Sequence, residues 1–196
     1  MNISLLLSSL LFGVLFFLPA ASQAQWQPDV RLTNDPAFSL TSYNNAWCVA
    51  ASGNALHVVW RDFRDGNYEI YYKRSIDGGT SWGADTRLTN NSASSEFPSV
   101  SVPGSVVHVV RSDDRDGNWE IYYKRSTDGG SSWGQDTRLT NYSASSEHPS
   151  VSVSGFVVHV VWQDNRDGNN EIYYTRSIDE GSTRRENTRL TNNTAL

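Results

Sequence analysis

Three eight-residue segments place carboxylates, a guanidinium and an amide at the same spacing: Asp62-Phe63-Arg64-Asp65-Gly66-Asn67-Tyr68-Glu69, Asp113-Asp114-Arg115-Asp116-Gly117-Asn118-Trp119-Glu120, and Asp164-Asn165-Arg166-Asp167-Gly168-Asn169-Asn170-Glu171. Calcium chelation needs carboxylates at alternate positions before the glycine, and Phe63 and Arg61 stand there instead, so it fails. Carboxylate recognition suits Arg64, Arg115 and Arg166, whose guanidiniums can make two parallel bonds to an acid. Sugar binding suits the set Asp62, Asp65, Asn67, Asp113, Asp116, Asn118, Asp164, Asp167 and Asn169 on hydroxyls, with Tyr68, Trp119 or the neighbouring Trp60 and Trp162 stacking on a ring. Against these stands a structural alternative: Asp-Gly-Asn is turn chemistry, and Asp62 can pair with Arg64 merely to hold the loop. The sequence leaves both open.

Other reactive side chains point away from catalysis because they recur. His57, His108 and His159 hold one strand position in three successive units, which suits a buried, hydrogen-bonded histidine and places them too far apart to share a metal. Tyr71, Tyr122 and Tyr173, with Tyr72, Tyr123 and Tyr174, read as packing aromatics. The single cysteine, Cys48, excludes an intrachain disulfide framework and reads as a small buried residue. Positions that break the repeat are Phe97 and His148, expected in inter-unit linkers, and Arg111, which interrupts the series Trp60 and Trp162. No metal site and no cofactor is expected.

The elements that position these residues come from a repeat. The string RLTN recurs at Arg31, Arg87, Arg138 and Arg189, at spacings of 56, 51 and 51 residues. Five extra residues lie before His57 in NDPAFSLTSYNNAW, which reads as a loop. Within the second unit the runs PSVSV, VVHVV, EIYYKRS and WGQDTRLT have strand character, with Val100, Val102, Val107, Val109, Ile121 and Tyr123 as candidate packing residues. Four short strands per ~50 residues fits one blade of an all-β propeller built of four-stranded antiparallel sheets. The expected boundaries are a lone outer strand over 26–33 and blades over 34–89, 90–140 and 141–191.

Residues 1–24 read as a signal peptide: an apolar run from Leu5 to Leu18, too short to span a bilayer, precedes a cleavage site after Ala24. The expectation is a secreted protein, extracellular or periplasmic, with no membrane span after cleavage. A net charge of −5 and the absence of a basic patch exclude nucleic acid as a partner.

Between the third and fourth strands stand SIDGGTSW (Ser75, Asp77, Gly79, Trp82), STDGGSSW (Ser126, Asp128, Gly130, Trp133) and the altered SIDEGSTR (Ser177, Asp179, Gly181), in which Glu180 and Arg184 replace a glycine and the tryptophan. These resemble the Asp box of the bacterial neuraminidase repeat, found in sialidases and other secreted propellers. Locally the aspartate can accept backbone N–H bonds, the glycine supplies a conformation closed to other residues and the tryptophan plugs the seam, so the third turn is expected to be looser and its seam less filled. The resemblance implies that the box is structural and that the Asp-x-Arg-Asp-Gly-Asn loops emerge on the opposite, substrate-side face, where a sialidase would use arginines from several blades. It also implies what is missing: a sialidase site is asymmetric, whereas every candidate here occurs three times, and the Phe/Tyr-Arg-Ile-Pro motif is absent.

The expected function is a sialidase-like propeller acting as a carbohydrate-binding or surface-interaction module without catalysis of its own. The alternatives are a fragment of an exo-sialidase or related glycoside hydrolase and a purely structural repeat domain. Three blades leave two open faces, so either the chain is part of a longer one or copies assemble, most simply as a three-plus-three ring.

Overall fold

The computed structural model describes residues 26–41 and 46–193. The signal peptide expected over 1–24 lies outside the described residues. A compact unit spans Leu32–Leu196, and residues 26–31 fall outside it. The fourth strand expected over 26–33 does not form: residues 26–35 carry no ladder, and Trp26 and Val30 are exposed. The fourth strands among the described residues each pair with the third strand of their own sheet.

Three antiparallel sheets follow, each inside one repeat. The first contains β1 (Ser39–Leu40), β2 (Val49–Ser52), β3 (Ala55–Asp62), β4 (Glu69–Ser75) and β5 (Thr86–Arg87). The second contains β6 (Ser95–Ser101), β7 (Val107–Asp113), β8 (Glu120–Ser126) and β9 (Thr137–Arg138), paired in chain order. The third repeats this with β10 (Ser146–Ser154), β11 (Val157–Asp164), β12 (Glu171–Ser177) and β13 (Thr188–Arg189). First strands of neighbouring sheets touch, the Val151 N–H donating to Ser99 Oγ at 3.2 Å, so the sheets radiate from this side as propeller blades.

The inner strand is bulged in the same place each time. The register slips between Glu96 and Ser99 and between Glu147 and Ser150, with Phe97 and His148 at φ 51° and 54°. Bulky residues enter this left-handed region only under constraint. Phe97 and His148 thus stand in strand bulges, not in linkers. In the first blade β1 and β2 are the two halves of the same strand, pairing with the end and the start of β3, and the extra residues enter between them, where the others carry one bulged residue.

The RLTN string now has a physical cause. Arg87 Nη2 donates to buried Glu69 at 2.9 Å, Leu88 enters the core, and Thr89 Oγ1 accepts the Ile70 N–H at 2.8 Å. The second and third blades repeat all but one of these contacts, Arg138 with Glu120 and Arg189 with Glu171; the exception is Leu190, which stays exposed.

The apolar core lies in the two seams. One gathers Val59, Ile70, Tyr72 and Leu88 of the first blade with Val100, Val107 and Val109 of the second, with Val102 half-buried beside them; the other gathers Val110, Ile121, Tyr123 and Leu139 with Val151, Val158, Val160, Trp162 and Tyr173. The outer faces are open. Val161, Ile172 and Leu190 on the third blade are 37%, 41% and 55% exposed, whereas Val110, Ile121 and Leu139 at the same positions are 0%, 0% and 4%. Val49 on the first blade is likewise 56% exposed against 3% for Val100.

Candidate functional site

The loop between β3 and β4 turns at Gly66, whose φ of 91° recurs at Gly117 and Gly168. Asp62, fully buried at the end of β3, accepts from Arg64 Nε at 3.0 Å and Nη2 at 2.8 Å, from Trp60 Nε1 at 2.9 Å and from Ser39 Oγ at 2.8 Å. Burial alone would raise the Asp62 carboxyl, but the bonds from Arg64, Trp60 and Ser39 outweigh it and hold it well below the usual range. Arg64 also pairs with Asp85 at 2.8 Å and lies 4.2 Å over the Tyr71 ring. Arg115 does the same with Asp113, Asp136 and Tyr122, and Arg166 binds Asp164 between the rings of Tyr142 and Tyr173.

The remaining loop groups are also committed. Asn67 Nδ2 donates to Glu69 and to the carbonyl oxygens of Asn91 and Ala93, and Asn118 and Asn169 repeat the contact with Glu120 and Glu171. The Tyr71 hydroxyl donates to Asp65 at 2.6 Å, and Arg87 pairs with the same carboxylate at 3.1 Å. Asp116 and Asp167 receive Tyr122 and Tyr173 alike. Burial and the neighbouring carboxylate push the Tyr71 phenol up, opposite to what a nucleophilic tyrosine needs. Sequence reasoning passed over Glu69, Glu120 and Glu171 as sites, yet each is the buried acceptor on which its loop converges; their strict recurrence three residues after Gly66, Gly117 and Gly168 was the available signal.

Residues that break the repeat gather elsewhere on this loop face. Buried Arg61 pairs with Glu96 of the second blade and lies 4.7 Å over Tyr68 and 5.4 Å over Phe97. Phe63 meets Tyr68 edge-on at 5.0 Å. The Phe97 ring stands 4.1 Å from His148 and 6.5 Å from Trp119. The His148 N–H donates to Ser112 Oγ at 3.1 Å, fixing the bulge that carries the ring. Tyr68, Phe97 and Trp119 are half-buried and His148 is exposed, so the cluster presents aromatic faces to solvent around an ion pair of buried Arg61 with half-buried Glu96.

Arg111 is not part of this surface. It is buried, and its Nε donates to Asp113 at 3.2 Å where Trp60 and Trp162 donate to Asp62 and Asp164, so one bond is kept by a different side chain. The histidines lie at the other end of the strands. His57, His108 and His159 stand 2.7, 2.8 and 2.8 Å from the hydroxyls of Tyr72, Tyr123 and Tyr174. Burial, then Arg125, lowers His108 to about 4. Cys48 is buried 3.6 Å from the Pro98 carbonyl oxygen. Among the described residues no group of three or more His, Cys, Asp or Glu is placed to hold a metal.

The Ser-x-Asp turns close the end opposite the loops. Asp77 accepts the Ser81 N–H at 2.9 Å and the Ser75 hydroxyl at 2.7 Å, and bonds from Ser81 and Ser75 hold it at about 2. The third turn is not looser. Asp179 accepts from Ser177 and from Thr183 in the same way, although Glu180 sits at φ 56° where Gly78 and Gly129 stand.

No protein-family model and no curated protein matches the sequence. Solved structures do match in fold. An α-L-arabinanase from Penicillium chrysogenum, solved with arabinobiose, gives a TM-score of 0.53 at 17% identity, covering 79% of this chain and 49% of its own. The sialidase of Trypanosoma rangeli, solved with 2,3-difluorosialic acid, gives 0.51 at 16% identity over 71% of this chain and 29% of its own. A mutant of that sialidase with trans-sialidase activity gives 0.52 at 15% identity over 76% and 33%. The chain therefore spans between about three tenths and a half of the length of these three proteins, and it has their β-propeller fold.

Proposed function

We propose that the chain is a secreted, sialidase-like propeller module that holds carbohydrate on its loop face by aromatic stacking and performs no hydrolysis of its own. One observation carries this reading: the side chains that break the repeat meet in a partly exposed aromatic cluster, while the repeated Asp, Arg and Asn groups spend their bonds on one another. Tyr68, Phe97, Trp119 and His148 supply flat faces for a sugar ring, and Glu96, held by buried Arg61, supplies a polar edge. The loop groups Asp62, Arg64, Asp65 and Asn67 then act as the frame, and a ligand reaching them would have to break existing bonds.

A glycan array carrying sialosides and arabino-oligosaccharides, probed with the full chain, tests this. Saturable binding that falls about tenfold in Trp119→Ala and Phe97→Ala, as expected for a lost stacking pair, supports the reading. No binding at millimolar glycan by folded protein overturns it in favour of a structural repeat domain. Turnover of a fluorogenic sialoside abolished by Arg64→Ala would replace it with a fragment of an exo-sialidase.

A second reading concerns assembly and rests on its own observation. The open face of the third blade carries the same residues that fill both seams, and the open face of the first blade carries the matching half. Arg74 and Arg125 reach the carbonyl oxygens of Gly129 and Glu180 on the next blade; Arg176 is their equivalent on the open face, and Gly78 is the equivalent receiver on the first blade. A second copy docking head to tail satisfies both faces, and two such contacts close a six-bladed ring on a twofold axis. Sedimentation should give twice the chain mass, falling to one in Ile172→Lys; a monomeric wild type sinks the idea.

A further inference from the structure

Among the positions at which the two seams differ, one empties a space. In the first seam the Trp133 indole packs edge-on against Tyr72 with ring centroids 4.9 Å apart, beside the core formed by Leu88, Val107 and Val109. In the second seam the same position is Arg184, which is exposed. What remains is a cleft of about 210 Å³ whose walls include Tyr123, Leu139, Val158 and Val160, the counterparts of the residues that Trp133 covers. An apolar cavity of roughly 150 Å³ suffices to hold benzene. Arg184 stands at the rim, and among the described residues it forms no ion pair with a carboxylate.

We propose that this vacated slot binds a planar aromatic carboxylate, the ring taking the place of the missing indole and the acid meeting Arg184. The occupant is defined by two features. The first seam supplies the shape, because an indole fills the identical wall set there. The rim supplies the charge, because a guanidinium that no carboxylate of the described residues pairs with, beside an apolar slot, prefers an anion over a neutral ring. The slot lies at the Ser-x-Asp end of the blades, away from the aromatic cluster of the loop face, so this site and the carbohydrate reading stand or fall separately.

The test uses the full chain with indole-3-acetate and indole as probes, followed by calorimetry. Wild-type protein should bind indole-3-acetate saturably and roughly threefold more tightly than indole, the scale of a partly exposed ion pair. Arg184→Ala should lose most of that preference, since the slot persists and Arg176 alone is left as a cation in its lining. Arg184→Trp should bind neither and melt at a higher temperature than wild type. Nuclear Overhauser contacts from the bound ring to the Val158 and Val160 methyls locate the ligand in unmodified protein, independent of whether any variant folds. Absence of saturable binding by wild type, binding undiminished in a folded Arg184→Trp, or contacts to other methyls would each overturn the proposal.

Discussion

The second and third blades carry the same apolar triplet, Val110, Ile121 and Leu139 in one and Val161, Ile172 and Leu190 in the other, yet one set is sealed and the other faces solvent. The triplets are identical in residue type, so the residues themselves do not separate them. The difference lies in the neighbour: the second blade has a following sheet to press against, and the third has none within the described residues. Burial here belongs to the seam, whereas most loop and turn hydrogen bonds belong to the blade and recur in both; an exception is Asp136, which pairs with Arg115 in the second blade and is replaced by Asn187 in the third.

That contrast can be broken most directly by truncation. Ile121→Ala should cost about 4 kcal/mol, since it empties a filled seam, while Ile172→Ala in the isolated chain should cost under about 1 kcal/mol; denaturant melts of the two variants decide. Equal losses would mean that the third face is covered in solution.

Acid should attack the seam next. His108 is buried and neutral, its Nε2 without a hydrogen-bond partner among the described residues, and its folded value near 4 lies below the ordinary 6.5. The unfolded chain therefore takes up the proton first. Its contribution is present in full above pH 6.5 and is lost as the pH falls from 6.5 towards 4, by up to roughly 3 kcal/mol. His108→Phe should flatten that part of the stability profile. His57, also lowered by burial and then by Arg74, should add a loss of the same sign.

Glycine substitution sharpens the contrast at the turns. Gly79 and Gly130 share a left-handed conformation, with φ of 89° and 83°, so alanine strains both by about 1 kcal/mol. A Cβ on Gly130 also runs into the Tyr72 ring reaching across the seam, whereas on Gly79 it meets only Leu56 at 3.2 Å and Trp82 at 3.9 Å. Gly130→Ala should therefore lose about 2 kcal/mol more than Gly79→Ala. The smallest effect is expected from Arg111→Trp, which restores the donor used by the flanking blades. A change of under about 1 kcal/mol in melting experiments is expected, because Asp136 keeps Arg115 and Lys124.

Much of the fold was legible because a 51-residue repeat exposes which positions matter. The second and third strands of each blade and the two-sided placement of turns and loops follow from turn residues and β-rich runs. The outer strands shrank to two residues because the Arg-Leu-Thr string bonds through side chains as much as through ladder. The loop residues were legible as a cluster, and the pairing of Asp62 with Arg64 was one of the alternatives their spacing offered; what local pattern did not show is that Asp85, Asp136 and the Tyr71 and Tyr122 rings complete it. Phe97 and His148 stood out as exceptions, while their bulged backbone and mutual contact arise between blades, beyond the reach of local pattern. Arg111 stood out as the residue that interrupts the series Trp60 and Trp162, and a guanidinium in place of an indole hides the single N–H that both provide.

The bulges that carry Phe97 and His148 also bear on how the chain folds. Three nearly interchangeable hairpins compete for the same partners during collapse, and neighbouring repeats of high similarity are prone to swap strands. Phe97 at one bulge, His148 at the next and the interrupted strand of the first blade give each inner strand a distinct identity. Arg61 recognises Glu96, and Ser112 recognises the His148 backbone, so a strand delivered to the wrong blade forfeits its own contact. The irregularities thus serve as address labels that keep equivalent strands in sequential order.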